Sequence, residues 1–402
     1  MSRVDELIAK LCPDGVRFAT IGENAQVSAG ATPSKAIAEY WTNGTIPWLT
    51  SGEVNKGTIY EADTLISQAG YDSCSTKLIP SGAVVMALAG QGKTRGMVAR
   101  TRLACCTNQS LASIVPNEGL DSDFLYYYLK TQYARLRDVS SGDGTRGGLN
   151  LVMIRTYRIP VPPLEVQREI VRILDQFTQL EAELEAELEA RRRQYEHYRS
   201  GLLSFDSVEQ WAKLSDIADY VNGRAHEKLA DPDGDVAMVT ARFISRNGEA
   251  NRFVRLDEVQ TPAIAGDVAM VLSDLPNGRA LARTFYIGKN DSYAINQRVA
   301  RLRVRDSSRN SSRFLYHYLN RNTGLLRHDN GVDQTHLSKG QVTGLRFPVM
   351  PRVDQDRIAG ILDKFDALVN DLSLGLPAEL AARRKQYEYY RDKLLTFKEL
   401  AA

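Results

Sequence analysis

The sequence repeats itself, and this duplication limits the folds open to the chain more than any other feature. Residues 191–205, RRRQYEHYRSGLLSF, recur as residues 383–397, RRKQYEYYRDKLLTF, with ten of the fifteen positions identical. Residues 159–177 match residues 347–365 at an offset of 188 positions instead of 192, so the second copy gains four residues between the two matching stretches. A chain built from two similar halves is expected to fold as two similar units.

Weaker similarities extend the duplication over the rest of the chain. The short matches are FLYYYL (124–129) with FLYHYL (314–319) and the pair Asn108-Gln109 with the pair Asn296-Gln297. The predicted plan is therefore a globular unit, then a helix, then a second globular unit and a second helix.

The strongly repeated segments have the pattern of long helices. Apolar residues recur at steps of three, four or seven positions from Ile170 to Leu202 and again from Ile358 to Leu394, as in the seam of a coiled coil. Gly375 leaves open whether the second helix is continuous, because glycine weakens a helix. The residues that we expect to pack in the seams are Ile173, Phe177, Leu184, Tyr195 and Tyr198 in the first helix, and Ile361, Phe365, Tyr387 and Tyr390 in the second.

The segments before each helix alternate short β-prone runs with turn signals, and each ends in a helix-like patch. The fold class is therefore α+β: two α+β domains joined by two long antiparallel coiled-coil helices, with a pseudo-two-fold internal repeat. The predicted boundaries are 1–158 for the first domain, 159–205 for the first helical spacer, 206–346 for the second domain and 347–402 for the second helical spacer.

Composition limits the function only loosely. The 51 Lys and Arg residues against 49 Asp and Glu give a net charge of +2, so DNA binding would need a local arrangement of basic residues. No uninterrupted apolar segment of about 18 residues is present to span a membrane. The four cysteines form no CxxC pair, which argues against a metal site and a disulfide framework. We expect a cytoplasmic protein that binds neither a metal nor a membrane.

The segment ALAGQGKTRG (87–96) resembles a nucleotide-binding P-loop. A P-loop needs its Lys-Thr pair to open a helix of several turns, so that backbone N–H groups face the phosphates. Here a strand-like run follows Gly96 at once, and the second half carries no GKT at the corresponding place. We interpret the segment as a basic turn between two strands. The alternative, a P-loop NTPase with a coiled-coil arm, requires ATP binding that depends on Lys93.

Local basic patterns are more suggestive of a DNA partner. Arg301, Arg303 and Arg305 alternate with apolar residues, which places three guanidinium groups on one face of a strand. Arginine reads guanine edges or neutralises phosphates, although a solvated strand face is the simpler alternative. The remaining basic and polar candidates lie in or near turns. The full set of DNA-binding candidates is Lys35, Ser51, Lys93, Thr94, Arg95, Arg146, Arg224, Arg242, Asn277, Arg279, Arg301 and Arg303.

Four segments of the chain carry a family resemblance. QREIVRILDQF (167–177), ELEAELEARRRQYEHYRSGLLSF (183–205) and GLPAELAARRKQYEYYRDKLLTF (375–397) closely resemble the specificity (S, HsdS) subunit of type I restriction-modification systems. GATPSKAIAEYWTNGTIPWLTSGEV (30–54) resembles the start of one of that family's target recognition domains. The resemblance covers essentially the whole chain, including the duplicated order.

This resemblance implies a non-catalytic subunit whose two target recognition domains each read one half of a bipartite, asymmetric site in double-stranded DNA. The paired helices would fix the unread spacer and dock two methyltransferase subunits, which use S-adenosylmethionine. Restriction subunits would join the complex and use ATP and Mg²⁺, so that this subunit itself holds no cofactor. A structural coiled-coil adaptor without DNA specificity is the remaining alternative.

The four additional residues of the second helix give a first test. They correspond to about 6 Å of helix. Deleting residues 373–376 is therefore expected to change the spacer length that the complex prefers, measured by mapping methylated sites in cells. An unchanged spacer would contradict a ruler function for this segment.

Overall fold

The computed structural model describes residues 3–89, 94–140, 148–205, 208–275, 278–370 and 375–401. The chain divides into two compact units. The first unit comprises Met1–Glu183 together with Ala382–Ala402, and the second comprises Leu184–Ala381. Each unit therefore combines one globular region with a part of each repeated helix.

Helices and strands alternate along both halves of the chain. The helices are α1 (Arg3–Leu11), α2 (Ile21–Asn24), α3 (Gln68–Asp72), α4 (Ser122–Thr131), α5 (Tyr133–Val139), α6 (Leu151–Thr156), α7 (Leu164–Leu202), α8 (Leu214–Ile217), α9 (Ala241–Ser245), α10 (Ser312–Leu319), α11 (Thr323–Leu326), α12 (Lys339–Thr343), α13 (Arg352–Asn370) and α14 (Leu376–Leu394). The strands are β1 (Phe18–Thr20), β2 (Ala25–Ala29), β3 (Ile46–Leu49), β4 (Thr58–Ile59), β5 (Leu65–Ile66), β6 (Val84–Ala87), β7 (Val98–Thr101), β8 (Cys106–Thr107), β9 (Leu111–Pro116), β10 (Arg158–Pro160), β11 (Trp211–Lys213), β12 (Ala218–Asn222), β13 (Val236–Val239), β14 (Phe253–Val254), β15 (Val268–Val271), β16 (Ser273–Asp274), β17 (Thr284–Tyr286), β18 (Tyr293–Ile295), β19 (Val299–Val304), β20 (Thr335–His336) and β21 (Arg346–Pro348).

The two units share one sheet topology, except that the main sheet of the first unit has an additional edge strand, β4. The main sheet of the first unit has the strand order β2-β9-β6-β7-β4, and that of the second has the order β12-β19-β15-β17. A smaller sheet follows the order β5-β3-β8 in the first unit and β14-β13-β18 in the second. In each smaller sheet one pair is parallel, β3 with β8 and β13 with β18. The predicted α+β class and the internal repeat are thus confirmed.

The central strand of each main sheet is buried on both faces. Val84 and Met86 of β6 pack in one apolar cluster with α4, whereas Val85 and Ala87 pack in a second cluster on the opposite face. Strand β15 divides its side chains between two clusters in the same way. Successive side chains of a strand point to opposite faces, so a strand that is covered twice must be apolar throughout. This explains the uninterrupted runs AVVMAL and VAMVL.

A buried glutamine near the start of each long helix fixes the adjoining domain. Gln167 of α7 accepts a hydrogen bond from the backbone N–H of Asp121 (2.7 Å) and donates to the carbonyls of Gly119 (2.9 Å) and Pro162 (2.7 Å). Asp121 is the N-cap residue of α4. Helix α7 therefore holds the loop that leads into α4. The second unit repeats this arrangement.

In the second unit the same position is Gln355, which is also buried. It accepts from the N–H of Ser311 (2.9 Å), the N-cap residue of α10, and donates to the carbonyls of Arg309 and Met350 (both 3.0 Å). The duplicated glutamine thus makes the same three backbone contacts twice.

An aspartate two turns further along each helix makes a second attachment. Asp175 accepts from the Tyr127 hydroxyl (2.6 Å) and from the guanidinium of Arg100 (3.1 Å). Asp363 accepts from His317 Nε2 (2.6 Å) and from Arg313 Nε (3.0 Å).

Tyr127 and His317 occupy the same place in the FLYYYL and FLYHYL repeats. A phenol in one unit and an imidazole in the other therefore bond equivalent carboxylates. Burial alone would raise the pKa of Asp363, but the hydrogen bonds from His317 and Arg313 hold this pKa below its usual range.

The helices pack antiparallel within each unit. In the first unit Phe177 stacks on Tyr390, with ring centroids 5.7 Å apart, and Arg384 pairs with Glu181 at 2.6 Å. In the second unit Phe365 stacks on Tyr195 at 6.1 Å and on Tyr198 at 5.5 Å. The remaining predicted seam residues are Ile173 and Tyr387, which pack against the core of the first unit, Leu184, which packs against that of the second, and the half-buried Ile361.

The second repeated segment consists of α13 and α14. Helix α13 ends at Asn370 and α14 begins at Leu376, and residues 371–374 between them lie outside the described part. Pro377 occupies the first turn of α14, where a missing N–H costs no helical hydrogen bond. Among the described helices, none is long and apolar enough to cross a membrane.

The buried glutamine gives a test of the helix–domain junction. Gln167→Ala is expected to destabilise the protein by about 2–3 kcal/mol, because it removes three hydrogen bonds to backbone groups at the junction, one of them fully buried. The matched control is Gln179→Ala on the same helix, where an exposed side chain donates to Glu183 Oε1 at 2.9 Å. The free energy of unfolding from urea titration should fall for the first variant alone, and equal losses for both would contradict this function.

Candidate nucleic-acid interface

Polar side chains follow the parallel strands of the smaller sheet in each unit. Strands β3 and β8 end side by side at Leu49 and Thr107, and β13 and β18 end side by side at Val239 and Ile295. The residues that follow form what we call the polar edge, which consists of Thr50, Asn108 and Gln109 in the first unit and Thr240, Asn296 and Gln297 in the second. Because carboxyl ends of parallel strands meet at one edge, residues distant in sequence are brought together there.

A glycine brings a further loop against each polar edge. A Cβ atom at Gly30 would lie 1.7 Å from the carbonyl oxygen of Thr107, and one at Gly223 would lie 2.1 Å from that of Asn296. Only glycine permits so close a crossing of two backbones. The loops that begin at these glycines carry two of the predicted basic residues, Lys35 and Arg224.

In the first unit the polar edge borders a cleft of about 660 Å³. The indole rings of Trp41 and Trp48 meet edge to face there, with centroids 5.2 Å apart. The exposed side chain of Lys35 lies at the rim, and the Thr32 hydroxyl donates to Gln109 Oε1. The cleft thus combines an aromatic wall with hydrogen-bond donors and one positive charge.

In the second unit a carboxylate occupies the polar edge. Glu227 Oε1 accepts from the Asn296 amide (2.8 Å) and from the Gln297 amide (2.9 Å). Burial tends to raise the pKa of Glu227, but hydrogen bonds from Asn296, from its own backbone and from Gln297 outweigh this and lower the pKa. Glu227 is exposed and stays ionised, so this edge presents a hydrogen-bond acceptor.

Two predicted basic residues lie beside this second edge. Arg224 is exposed, and its backbone N–H donates to the carbonyl of Ile295 at 3.2 Å. Arg242 is exposed in α9, the helix that Thr240 caps. The structure therefore brings Lys35 to the first polar edge, and Arg224 and Arg242 to the second.

The predicted arginine strand exists as β19, but its guanidinium groups have internal partners. Arg303 makes two hydrogen bonds to the buried carboxylate of Asp267, at 2.7 and 2.8 Å. Arg305, just beyond the strand, pairs with the exposed Asp219 at 2.8 Å.

Arg301 donates to the carbonyl of Pro262, and burial and the neighbouring Arg303 lower its pKa. DNA binding by Arg301 and Arg303 stays a prediction, and Arg303 already serves an internal carboxylate.

The GKT turn is not a P-loop. Strands β6 and β7 on either side of it pair antiparallel, with Val84 opposite Arg100 and Met86 opposite Val98. Thr94 and Arg95 lie in the turn, and β7 follows at Val98 with no helix between them. The P-loop alternative is therefore wrong, because no helix N-terminus follows the Lys-Thr pair to hold phosphates.

The other candidates are spread over both units. Ser51 is half-buried and opens the 3₁₀ helix Ser51–Lys56, and Arg279 is exposed near the end of β16. Lys93, Arg146 and Asn277 lie outside the described residues. Within the described residues, no group of three or more His, Cys, Asp and Glu side chains is placed to hold a metal ion.

Sequence reasoning missed Glu227 and the two glutamines of the polar edges. The signal for the glutamines was present in the repeated Asn-Gln pair, whose position at the end of a parallel strand could not be read from sequence. No comparable signal marked Glu227, because its counterpart loop in the first half carries no acidic residue at that place.

Two α+β domains of one topology, each attached to paired helices through the same glutamine and aspartate, define a duplicated recognition scaffold. The family model of the type I restriction modification DNA specificity domain matches this chain twice, over residues 13–190 and 209–382. The chain belongs to this family. It is a type I specificity subunit with two recognition domains, a non-catalytic class whose catalytic partners are separate subunits. The predicted family is thereby confirmed.

Relatives and solved structures agree with this assignment. The chain is 27% identical to the specificity subunit of the type I restriction enzymes EcoR124I/EcoR124II of Escherichia coli over 400 residues, which covers 88% of this chain and 94% of that protein. It is 29% identical to a putative type I specificity subunit of Haemophilus influenzae over 70% of this chain and 73% of that protein.

The fold is similar to that of the S subunit from M. genitalium (TM-score 0.58, 16% identity, 95% and 96% of the two chains). It is also similar to that of the HsdS subunit from Thermoanaerobacter tengcongensis (TM-score 0.53, 18% identity, 96% and 97%). Specificity subunits assemble with partner subunits in type I complexes.

The ion pairs Arg303–Asp267 and Arg305–Asp219 give a matched test, because one carboxylate is buried and the other is exposed. Arg303→Ala is expected to lower the free energy of unfolding by about 2 kcal/mol, because it leaves the buried Asp267 carboxylate without two charge-assisted hydrogen bonds. Arg305→Ala removes an exposed pair and should cost less than about 1 kcal/mol. Urea titration of both variants measures the difference, and a larger loss for Arg305→Ala would contradict the assignment.

Proposed function

We propose that each recognition domain reads one half of a bipartite, asymmetric site in double-stranded DNA, and that the paired helices set the unread spacer between the halves. The observation that carries this proposal is the contrast between the polar edges. The same backbone framework carries Lys35 and Trp41 in the first unit but Glu227 and Arg242 in the second. Domains of one fold with different side chains read different sequences, so the target is not a palindrome.

Electrostatics supports the polar edges as the DNA-facing surfaces. The chain is nearly neutral, with a net charge of +2, so an overall basic field does not attract DNA. Exposed basic residues nevertheless lie at both edges, with Lys35 at the first and Arg224 and Arg242 at the second. Partner subunits supply the rest of the phosphate neutralisation. Lys93, Thr94, Arg95, Arg146, Asn277 and Arg279 are proposed phosphate contacts on the same domains.

The helices are the proposed docking surface for two methyltransferase subunits. Tyr198 and Tyr390 contact a phenylalanine of the opposite helix and still keep 47% and 38% of their surface exposed. An aromatic side chain that is packed on one face and open on the other suits a protein interface. Ile173, Phe177, Leu184, Tyr195, Ile361, Phe365 and Tyr387 hold the helix pair in shape beneath that surface.

Chemistry belongs to the partner subunits in this proposal. The methyltransferase subunits use S-adenosylmethionine and take the target base out of the stack, and the restriction subunits use ATP and Mg²⁺. The specificity subunit holds these partners over the two half-sites and binds no cofactor itself. We place the complex in the cytoplasm, together with the DNA that it modifies.

A domain exchange tests the proposal. Replacing residues 1–150 with the matching domain of another specificity subunit should replace one half-site and preserve the other half-site and the spacer, because each domain reads its half alone. The measurement is single-molecule sequencing of methylated DNA from cells that carry the complete system.

The reciprocal exchange of residues 206–346 is the matched control and should replace only the opposite half. An unchanged target after both exchanges would contradict the proposal.

A further inference from the structure

The asparagine and the glutamine of the repeated Asn-Gln pair have different roles, and each role is the same in both units. The backbone N–H of Asn108 donates to the carbonyl of Leu49 (3.0 Å), and that of Asn296 donates to the carbonyl of Val239 (3.1 Å). These equivalent bonds tie together the ends of two parallel strands. The asparagine is thus a structural residue that holds the polar edge together.

The asparagine side chains accept from nearby backbone groups as well. Asn108 Oδ1 accepts from the N–H of Ser110 (3.0 Å), and Asn296 Oδ1 accepts from the N–H of the buried His226 (2.9 Å). Asn296 itself is buried. The glutamine that follows is exposed in both units, so the asparagine positions a neighbour that faces outward.

The surroundings of the two glutamines have opposite hydrogen-bonding character. Gln109 Oε1 accepts the Thr32 hydroxyl, so its amide N–H₂ and the nearby Lys35 ammonium make the first edge rich in donors. The Gln297 amide instead donates to Glu227, which also holds Asn296, so the second edge presents an ionised carboxylate. A surface of donors and a surface with an acceptor select complementary base edges.

We propose that Gln109 and Gln297 read base edges in the two half-sites, and that Glu227 gives the second domain a different base preference from the first. This inference rests on the proposed reading of one half-site by each domain. Guanine presents two acceptors, O6 and N7, in the major groove, whereas cytosine and adenine present an amino donor there. Because the Thr32 hydroxyl already occupies Gln109 Oε1, the Gln109 amide is left to donate, so the first domain selects guanine, whose major-groove edge presents two acceptors and no donor. The second domain selects cytosine or adenine at the position that Glu227 faces.

The test uses the full chain, co-expressed with its methyltransferase subunits, and maps methylated sites by single-molecule sequencing. Gln109→Ala should reduce the preference for guanine at one position of one half-site by about tenfold to a hundredfold. Glu227→Gln should reduce the preference for an amino-bearing base in the other half-site by a similar factor, because an amide both donates and accepts.

Gln109→Glu is expected to create a new base preference, a result that loss of folding could not produce. A carboxylate at this place accepts from amino groups, so the preferred base should change from guanine to cytosine or adenine. The matched controls are Gln26→Ala, at an exposed position of β2, and Glu209→Gln, at an exposed position of the second unit, and both should leave the target unchanged.

The possible outcomes separate this inference from the proposed function. A bipartite site for the unmodified protein that stays the same in all three variants overturns the reading role of the polar edges while the proposed function stands. A variant that alters both half-sites at once also overturns it, because each edge then fails to act on its own half. Absence of any bipartite site for the unmodified protein overturns the proposed function, and this inference with it.

Discussion

The hydrogen bonds of one buried glutamine in each half hold the recognition domains to the helices. Gln167 and Gln355 lie one turn inside their helices. Each bonds a backbone N–H and a carbonyl of the loop that leads into α4 or α10, and a carbonyl just before its own helix. Backbone groups belong to every sequence, so this attachment places no demand on the side chains of the domain. The recognition surface is therefore free to vary while the junction stays the same.

The aspartate contacts show how much variation the junction accepts. Asp175 accepts a hydrogen bond from the phenol of Tyr127, and Asp363 accepts one from the imidazole of His317, at the same donor–acceptor distance of 2.6 Å. Both rings place one donor at the end of a planar side chain, so either satisfies a half-buried carboxylate. The arginine beside each aspartate comes from a different element, β7 in one unit and α10 in the other. The junction thus depends on the geometry of donors and tolerates their replacement.

Sequence reasoning succeeded where the signal is periodic or repeated. The coiled-coil seam and the doubly buried strands β6 and β15 follow from local patterns of apolar residues, and the duplication follows from simple identity. It could not find partners that are distant in sequence. The pair Arg303–Asp267 joins residues of two strands, and alternation along β19 alone suggested an open basic face. The GKT turn was judged correctly because the helix that a P-loop requires is a local property.

The polar edges combine a repeated sequence pattern with contacts between residues that are distant in sequence. A parallel pairing of β3 with β8 and of β13 with β18 brings together residues more than 50 positions apart, and no local pattern predicts which residues meet there. The repeated Asn-Gln pair marks the place in both halves because the asparagine bonds serve the strand ends and stay the same. The side chains around it differ between the halves, as the proposed reading of two different half-sites requires. Within one fold, the fixed and the variable residues thus lie next to each other, and the difference between the halves indicates which surface faces the DNA.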